Sequence, residues 1–331
     1  MSLKSTPAVL AFGAVLFFIP PLWAEEINFY FKTSPPLDLL YPYSDPVTLT
    51  VLVTGDGGKA VPRGWVAIRL DAPEPGLFFS TDFPWVEGSR LLDVKLPLRQ
   101  GKAEWKYVFP IRGEYRLAVD YEAPDGLNAS RQFSFGVSER KQKWWFLGIF
   151  SLVLFFVGVI AARVFASRSK QDLAVLIVAS LGCLMPLASS ALAQEVEGES
   201  YFGWLDIEPA TVGKPSTVRW RLAGGENAPG RVVLLTLTIY HLEKRKQVFA
   251  VERILVPGQF AVDFQFTDGA EYRVSAIAQI TGGQMVRTEQ NVSIAGVEPP
   301  RTATFSAIGF FLALIVLGLA VGRWSRRSAV S

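Results

Sequence analysis

The sequence predicts two tandem all-β domains held by transmembrane helices. Three observations carry that reading. The apolar excess of the 331 residues, 50% hydrophobic, is gathered into four blocks. The stretches between the blocks alternate polar and apolar residues with the period of a half-buried strand. One of those stretches repeats the other.

The first block opens the chain. Lys4 lies in a short polar region, Ala8 to Ile19 is apolar, and Leu22-Trp23-Ala24 precedes two glutamates. This is the layout of a secretory signal over residues 1–24, with cleavage after Ala24. Trp144 to Ala162 and Ala303 to Gly322 are uncharged runs, each close to the roughly 20 residues that cross a hydrocarbon core. Arg323-Trp324-Ser325-Arg326-Arg327 follows the second, within a basic tail over 323–331. The fourth block, Asp172 to Ala193, looks like another leader, with Arg168 and Lys170 before it and Ala191-Leu192-Ala193 at its end. Cleavage after Ala193 and an intact span are both open for it.

The repeat accounts for a leader in mid-chain. Gly101–Leu117 reads GKAEWKYVFPIRGEYRL and Gly258–Val274 reads GQFAVDFQFTDGAEYRV. The glycine, the phenylalanine and the Glu-Tyr-Arg triplet stand at equal spacing in both. One unit is leader, domain, span and basic tail, and the chain is that unit written twice. The domains are expected over 25–138 and 194–300, both outside the cytoplasm, with a short cytoplasmic turn at Arg163–Gln171. Ten of the 33 basic residues flank the last three blocks, so the net charge of +3 reflects topology and does not indicate nucleic-acid binding.

Within each domain the strands read off the alternation. Trp105, Tyr107 and Phe109 share one face, and Val262, Phe264 and Phe266 hold the aligned places. Val47, Leu49 and Val51 alternate with threonine. Gly55-Asp56-Gly57-Gly58, Asp125-Gly126 and Gly282-Gly283 are turn signals. Tyr115 and Tyr272 each follow a turn and open a late strand, the sequence form of a tyrosine corner, which makes the sandwiches immunoglobulin-like.

These residues carry a family resemblance. EPATVGKPSTVRWRL and GQFAVDFQFTDGAEYRVSAIAQ resemble the small exported sandwich domains grouped as FixH/YtkA-like, over most of 205–295 and more loosely over 45–138. The resemblance implies a membrane-anchored envelope protein, often tied to copper handling or oxidase assembly. The metal chemistry is missing here. His241 is the one histidine, and of three methionines Met1 is the initiator and Met185 lies in a block. Copper sites want clusters of imidazole, thiolate or thioether. No metal or other cofactor is expected.

Catalytic groups are equally sparse. A nucleophile and base pair needs histidine beside serine or cysteine. His241 precedes the charged run Glu243–Lys246 and reads as an exposed strand end, while Cys183 sits in an apolar block. Ser180-Leu181-Gly182-Cys183 departs from a lipidation box by a transposition. GDGGKAVP at Gly55–Pro62 lacks phosphate-loop spacing and reads as a turn. Asn128-Ala129-Ser130 and Asn291-Val292-Ser293 are glycosylation sequons. The expectation is a non-catalytic binding or assembly module. The alternative is an accessory subunit of a metal-transport or respiratory membrane complex. Expected partners are the lipid bilayer and another membrane or envelope protein, without nucleic acid.

One stretch is unequal between the repeats. Fifty-five residues separate Pro46 from Gly101, against 43 from Pro215 to Gly258, which places twelve extra residues within Ala72–Leu92. That insert holds Phe78, Phe79, Phe83 and Trp85 among turn residues. Loop aromatics are favoured at interfaces, so these four are candidate partner-binding residues. The competing expectation is that they cap their own sandwich.

Overall fold

The computed structural model describes residues 27–76, 80–165, 201–224, 230–280, 283–298 and 301–327. The first half contributes β1 (Asn28–Ser34), β2 (Val47–Thr54), β3 (Trp65–Asp71), β4 (Arg90–Pro97), β5 (Lys102–Tyr107), β6 (Gly113–Glu122) and β7 (Asn128–Val137), followed by helix α1 (Lys141–Phe165). The second half repeats the series as β8 (Phe202–Ile207), β9 (Pro215–Ala223), β10 (Val232–His241), β11 (Lys246–Pro257), β12 (Gln259–Gln265), β13 (Glu271–Ile280) and β14 (Met285–Ser293), followed by α2 (Arg301–Arg327). Every pairing between these strands is antiparallel.

The alternation read from the sequence is the burial pattern. Val47, Leu49, Val51 and Val53 of β2 are buried, and the threonines between them are partly exposed. Trp105, Tyr107 and Phe109 are buried on one face, as are Val262, Phe264 and Phe266. The period of two puts successive side chains on opposite faces, so one face of each strand joins the core.

The two halves are not strung apart. They share both sheets. One sheet runs β1-β2-β5-β11-β10-β13-β14 and the other β7-β6-β3-β4-β12-β9-β8. Each half supplies three strands to one sheet and four to the other. The halves meet where β5 pairs with β11 and where β4 pairs with β12. The two junctions have one register. Tyr107 pairs with Phe249 and Lys106 with Ala250, while at the equivalent repeat positions Phe264 pairs with Leu92 and Asp263 with Asp93. The halves are therefore related by a pseudo-two-fold axis, the geometry of an isologous dimer within one chain. The sheets face each other over a single buried cluster drawn from both halves. Rings meet across it, with the Tyr107 and Phe264 centroids 6.3 Å apart.

Both helices are long and apolar enough to cross a membrane. They run parallel, since Phe150 meets Phe311, Gly158 meets Gly318, and Ala162 meets Gly322 in the same order along both. The crossing needs glycine. A methyl group at Gly158 would strike the Ile315 carbonyl, and one at Gly318 the Phe155 carbonyl. Gly318 and Gly322 stand four apart, as do Gly158 and Ala162, the small-residue spacing that lets helix backbones touch. The leader, the block at 172–193 and the candidate cleavage positions Ala24 and Ala193 lie outside the described residues.

Candidate functional site at the seam between the halves

The strand ends near α1 and α2 meet in a polar and aromatic seam. In the first half β3 passes to β4 through the insert, residues 72–89, whereas β10 passes to β11 through only 242–245. The extra length thus lies where the spacing of the repeats puts it. It is folded against the second half of the same chain. Phe83 and Trp85 are partly buried on the shared core. The Trp85 indole N–H donates to the Thr267 carbonyl at 2.8 Å. Phe83 packs on Tyr43, ring centroids 5.1 Å apart, and on Trp85 at 5.9 Å. The sequence offered an external partner or a cap on the insert's own sandwich; Phe83 packs on Tyr43 of its own half, and Trp85 also reaches the neighbouring half through Thr267. Phe78 and Phe79 lie outside the described residues.

Asp268, in the turn before β13, is the hub on the other side. Its carboxylate accepts hydrogen bonds from the Tyr272 hydroxyl and the Lys244 ammonium. His241 Nε2 is 3.2 Å from Oδ2. The Lys244 backbone N–H donates to His241 Nδ1 at 3.3 Å, and an amide can only donate, so Nε2 carries the ring proton and donates to Asp268. Burial by itself raises a carboxyl pKa. Here the bonds from His241, Lys244 and Tyr272 outweigh it and hold Asp268 well below the ordinary carboxylate value.

The first half closes over this hub. The Lys244 ammonium sits 4.0 Å from the centroid of the Tyr43 ring and 5.3 Å from that of Phe83, a cation–π arrangement. Tyr43 and Thr267 share a hydroxyl hydrogen bond of 2.7 Å. Lys246 donates to the Tyr43 carbonyl at 2.8 Å and the Ser44 carbonyl at 3.1 Å. Burial, then the Asp268 charge, pushes the Tyr43 phenol upward, so it stays protonated. On the far side of the insert Asp82 pairs with Lys143 of α1 at 2.9 Å, and Arg112 lies 5.5 Å from the Trp144 ring centroid. The insert therefore touches its own sandwich, the second half and the head of α1.

His241 corrects one expectation. It has no exposed surface, and its ring packs 4.7 Å from Tyr272. Val233, Leu235, Leu237, Ile239 and His241 continue one buried face, which the charged run after it obscured. The tyrosine corner also takes two forms. Tyr115 donates to the Ile111 carbonyl at 2.6 Å and accepts from its N–H at 3.1 Å. The repeat puts Asp268 where Ile111 stands, so Tyr272 bonds a carboxylate instead. Tyr43, Lys244 and Asp268 were not singled out by sequence. The alternation into His241 and the aspartate four residues before Tyr272 were the available signals.

The seam can bind, orient and hold a charge. Its one imidazole is sealed from solvent with both nitrogens engaged. Among the described residues no three His, Cys, Asp or Glu side chains converge as metal ligands.

No protein-family model matches the chain, and no curated protein matches it. Solved structures similar to it include a tetra-tandem repeat in the extending region of a large adhesion protein, at 11% identity and a TM-score of 0.22, covering 81% of this chain and 50% of that one. Trypsin-activated alpha-2-macroglobulin from Escherichia coli matches at 12% identity and a TM-score of 0.25, covering 83% of this chain and 16% of that one. A bacterial ice-binding adhesin matches at 10% identity and a TM-score of 0.24, covering 82% and 65%. The chain spans half the length of the first of these.

Proposed function

We propose that the protein is a membrane-anchored, non-catalytic binding or assembly module whose paired immunoglobulin-like sandwiches face the extracytoplasmic side. One observation carries the reading. Two halves that share both sheets must lie on one side of a bilayer, and two parallel apolar helices leave them from the same end. On this reading the chain recrosses between Phe165 and Tyr201. Asp172 to Ala193 has the length and composition for that. The basic turn at Arg163–Lys170 then sits in the cytoplasm. The natural partner is another membrane or envelope protein.

Reporter fusions test the topology. An enzyme active only outside the cytoplasm should be active after Gly136 and after Gly283, and silent after Lys170. Activity at Lys170 overturns the reading. Purification in mild detergent, with the co-purifying proteins identified, tests the partner class.

A further inference from the structure

The junction between the halves is zipped only along part of its length. β5 and β11 pair at Tyr107–Phe249 and Lys106–Ala250 and then part, although β5 extends back to Lys102 and β11 on to Pro257. β4 and β12 part beyond Val94–Val262 in the same way, although β4 reaches Pro97 and β12 starts at Gln259. The divergence has a local cause in β11. A bulge sets two residues, Glu252 and Arg253, against Thr236, with Arg253 at a φ of 52° and its N–H on the Thr236 hydroxyl at 3.1 Å. Bulges bend the strand that carries them and end its pairing. The result is a notch on the pseudo-two-fold axis, at the end of the sandwich away from α1 and α2.

The notch holds two cavities, one on each side. The first, about 380 Å³, lies between β5 and β11, and the second, about 510 Å³, between β4, β12 and β9. Each is bordered by strand edges that no other strand covers, with only Lys102 of β5 already bridged, by Arg99. Each is also lined by a buried tryptophan, Trp105 or Trp220; the Trp105 indole N–H has no acceptor among the described residues, whereas the Trp220 indole nitrogen lies against Gly203 of β8. Their charge is one-sided. Four basic and two acidic side chains line the first, and three basic and no acidic ones the second. Lys102 pairs with Glu104 and Lys106 with Glu252, which leaves Arg99 and Arg253 without an ion pair among the described residues. Arg221 is left likewise in the second. Over 25–138 and 194–300 the chain carries 22 basic against 28 acidic residues, so these positive pockets run against its general charge.

We infer that the notch binds an acidic peptide segment in extended conformation, supplied by a partner protein. Open strand edges offer alternating N–H and C=O groups, which an added strand satisfies along its main chain. Free arginines at the mouth select acidic side chains, and Leu96, Leu98 and Ile254 receive the apolar ones between them. The inference deepens the reading of a binding module and needs only that reading's claim of binding. Its test uses purified protein, so it fails or succeeds independently of membrane topology.

The probe is a fluorescein-labelled Glu-Val-Asp-Val-Glu-Val-Asp amide, titrated with the full chain in mild detergent and followed by fluorescence anisotropy. Saturable binding is expected, weakened by salt. The peptide with its valines replaced by proline, which lacks the N–H groups, should not bind, and neither should its all-lysine counterpart. The double variant Arg221→Glu, Arg253→Glu should lose about tenfold or more in affinity. Its thermal midpoint should match the parent, which separates lost binding from lost folding. No saturable binding, equal binding of the proline peptide, or unchanged affinity in a folded double variant would overturn the inference.

Discussion

Replacing Asp268 by alanine should weaken the whole double sandwich, because this carboxylate ties the seam together. Three donors converge on it. The His241 N–H is buried and would be left without an acceptor, the Tyr272 hydroxyl would keep only Thr267 beside it, and Lys244 is 37% exposed and can turn to water. Stranding a buried donor costs about 1–3 kcal/mol. The ion pair itself is partly exposed, Lys244 at 37% and Asp268 at 19%, and adds about 0–1 kcal/mol, so about 2–4 kcal/mol is the expected loss for Asp268→Ala. For a body of this size it corresponds to a fall in thermal midpoint of about 4–16 °C. Asp268→Asn keeps an oxygen acceptor and loses the charge, so about 1–2 kcal/mol is expected. The assay is thermal unfolding of the full chain in detergent, followed by tryptophan fluorescence. The pH dependence supplies a second check. A carboxyl whose pKa is lowered on folding adds stability above its unfolded value of about 4, and the contribution fades as pH falls through the lower folded value. The gap between the parent and Asp268→Asn should therefore be full at neutral pH and shrink below about pH 4. An alanine variant within 0.5 kcal/mol of the parent, or a gap that persists undiminished in acid, would refute the reasoning.

Other perturbations separate the parts. Trp85→Ala should cost about 2–3 kcal/mol, less than the roughly 3–5 of a fully enclosed tryptophan, and urea unfolding of the full chain reads it. Tyr115→Phe removes a hydroxyl that bonds both polar groups of Ile111 and should cost about 1–3 kcal/mol in the same assay. Gly318→Leu should drive the helices apart. Cysteines at Phe150 and Phe311, in a Cys183→Ser background, should cross-link in the parent and fail to do so with leucine at 318.

Much of the fold was legible because it is local. The faces of Trp105, Tyr107 and Phe109 follow from period two, and the place of the insert follows from unequal spacing between repeats. The joining of the halves was not legible, because a strand that ends a sheet and one that continues into another unit carry the same alternation. β4 and β5 look alike in both cases. The seam was half legible. Phe83 and Trp85 stood out as loop aromatics, but nothing local says that the hydrogen-bond partner of Trp85 lies about 180 residues on, at Thr267. His241 shows a conflict of signals, where the alternation placed it inside and the following charges suggested the surface.

The pseudo-two-fold axis gives the repeat a physical reason. A single unit would leave β4 and β5 as open sheet edges, each a template for pairing with another chain. Duplication lets the edge of one unit cover the edge of the other, twice, in the same register. Such an isologous contact closes on itself, so it yields a pair and not a fibre. Parallel helices extend the same symmetry beyond the sandwich, since a two-fold axis along their common direction carries α1 onto α2 without reversing it. The insert breaks the symmetry. It is present in one half only, and it links the seam to the head of α1 through Asp82 and Lys143 but has no counterpart beside α2.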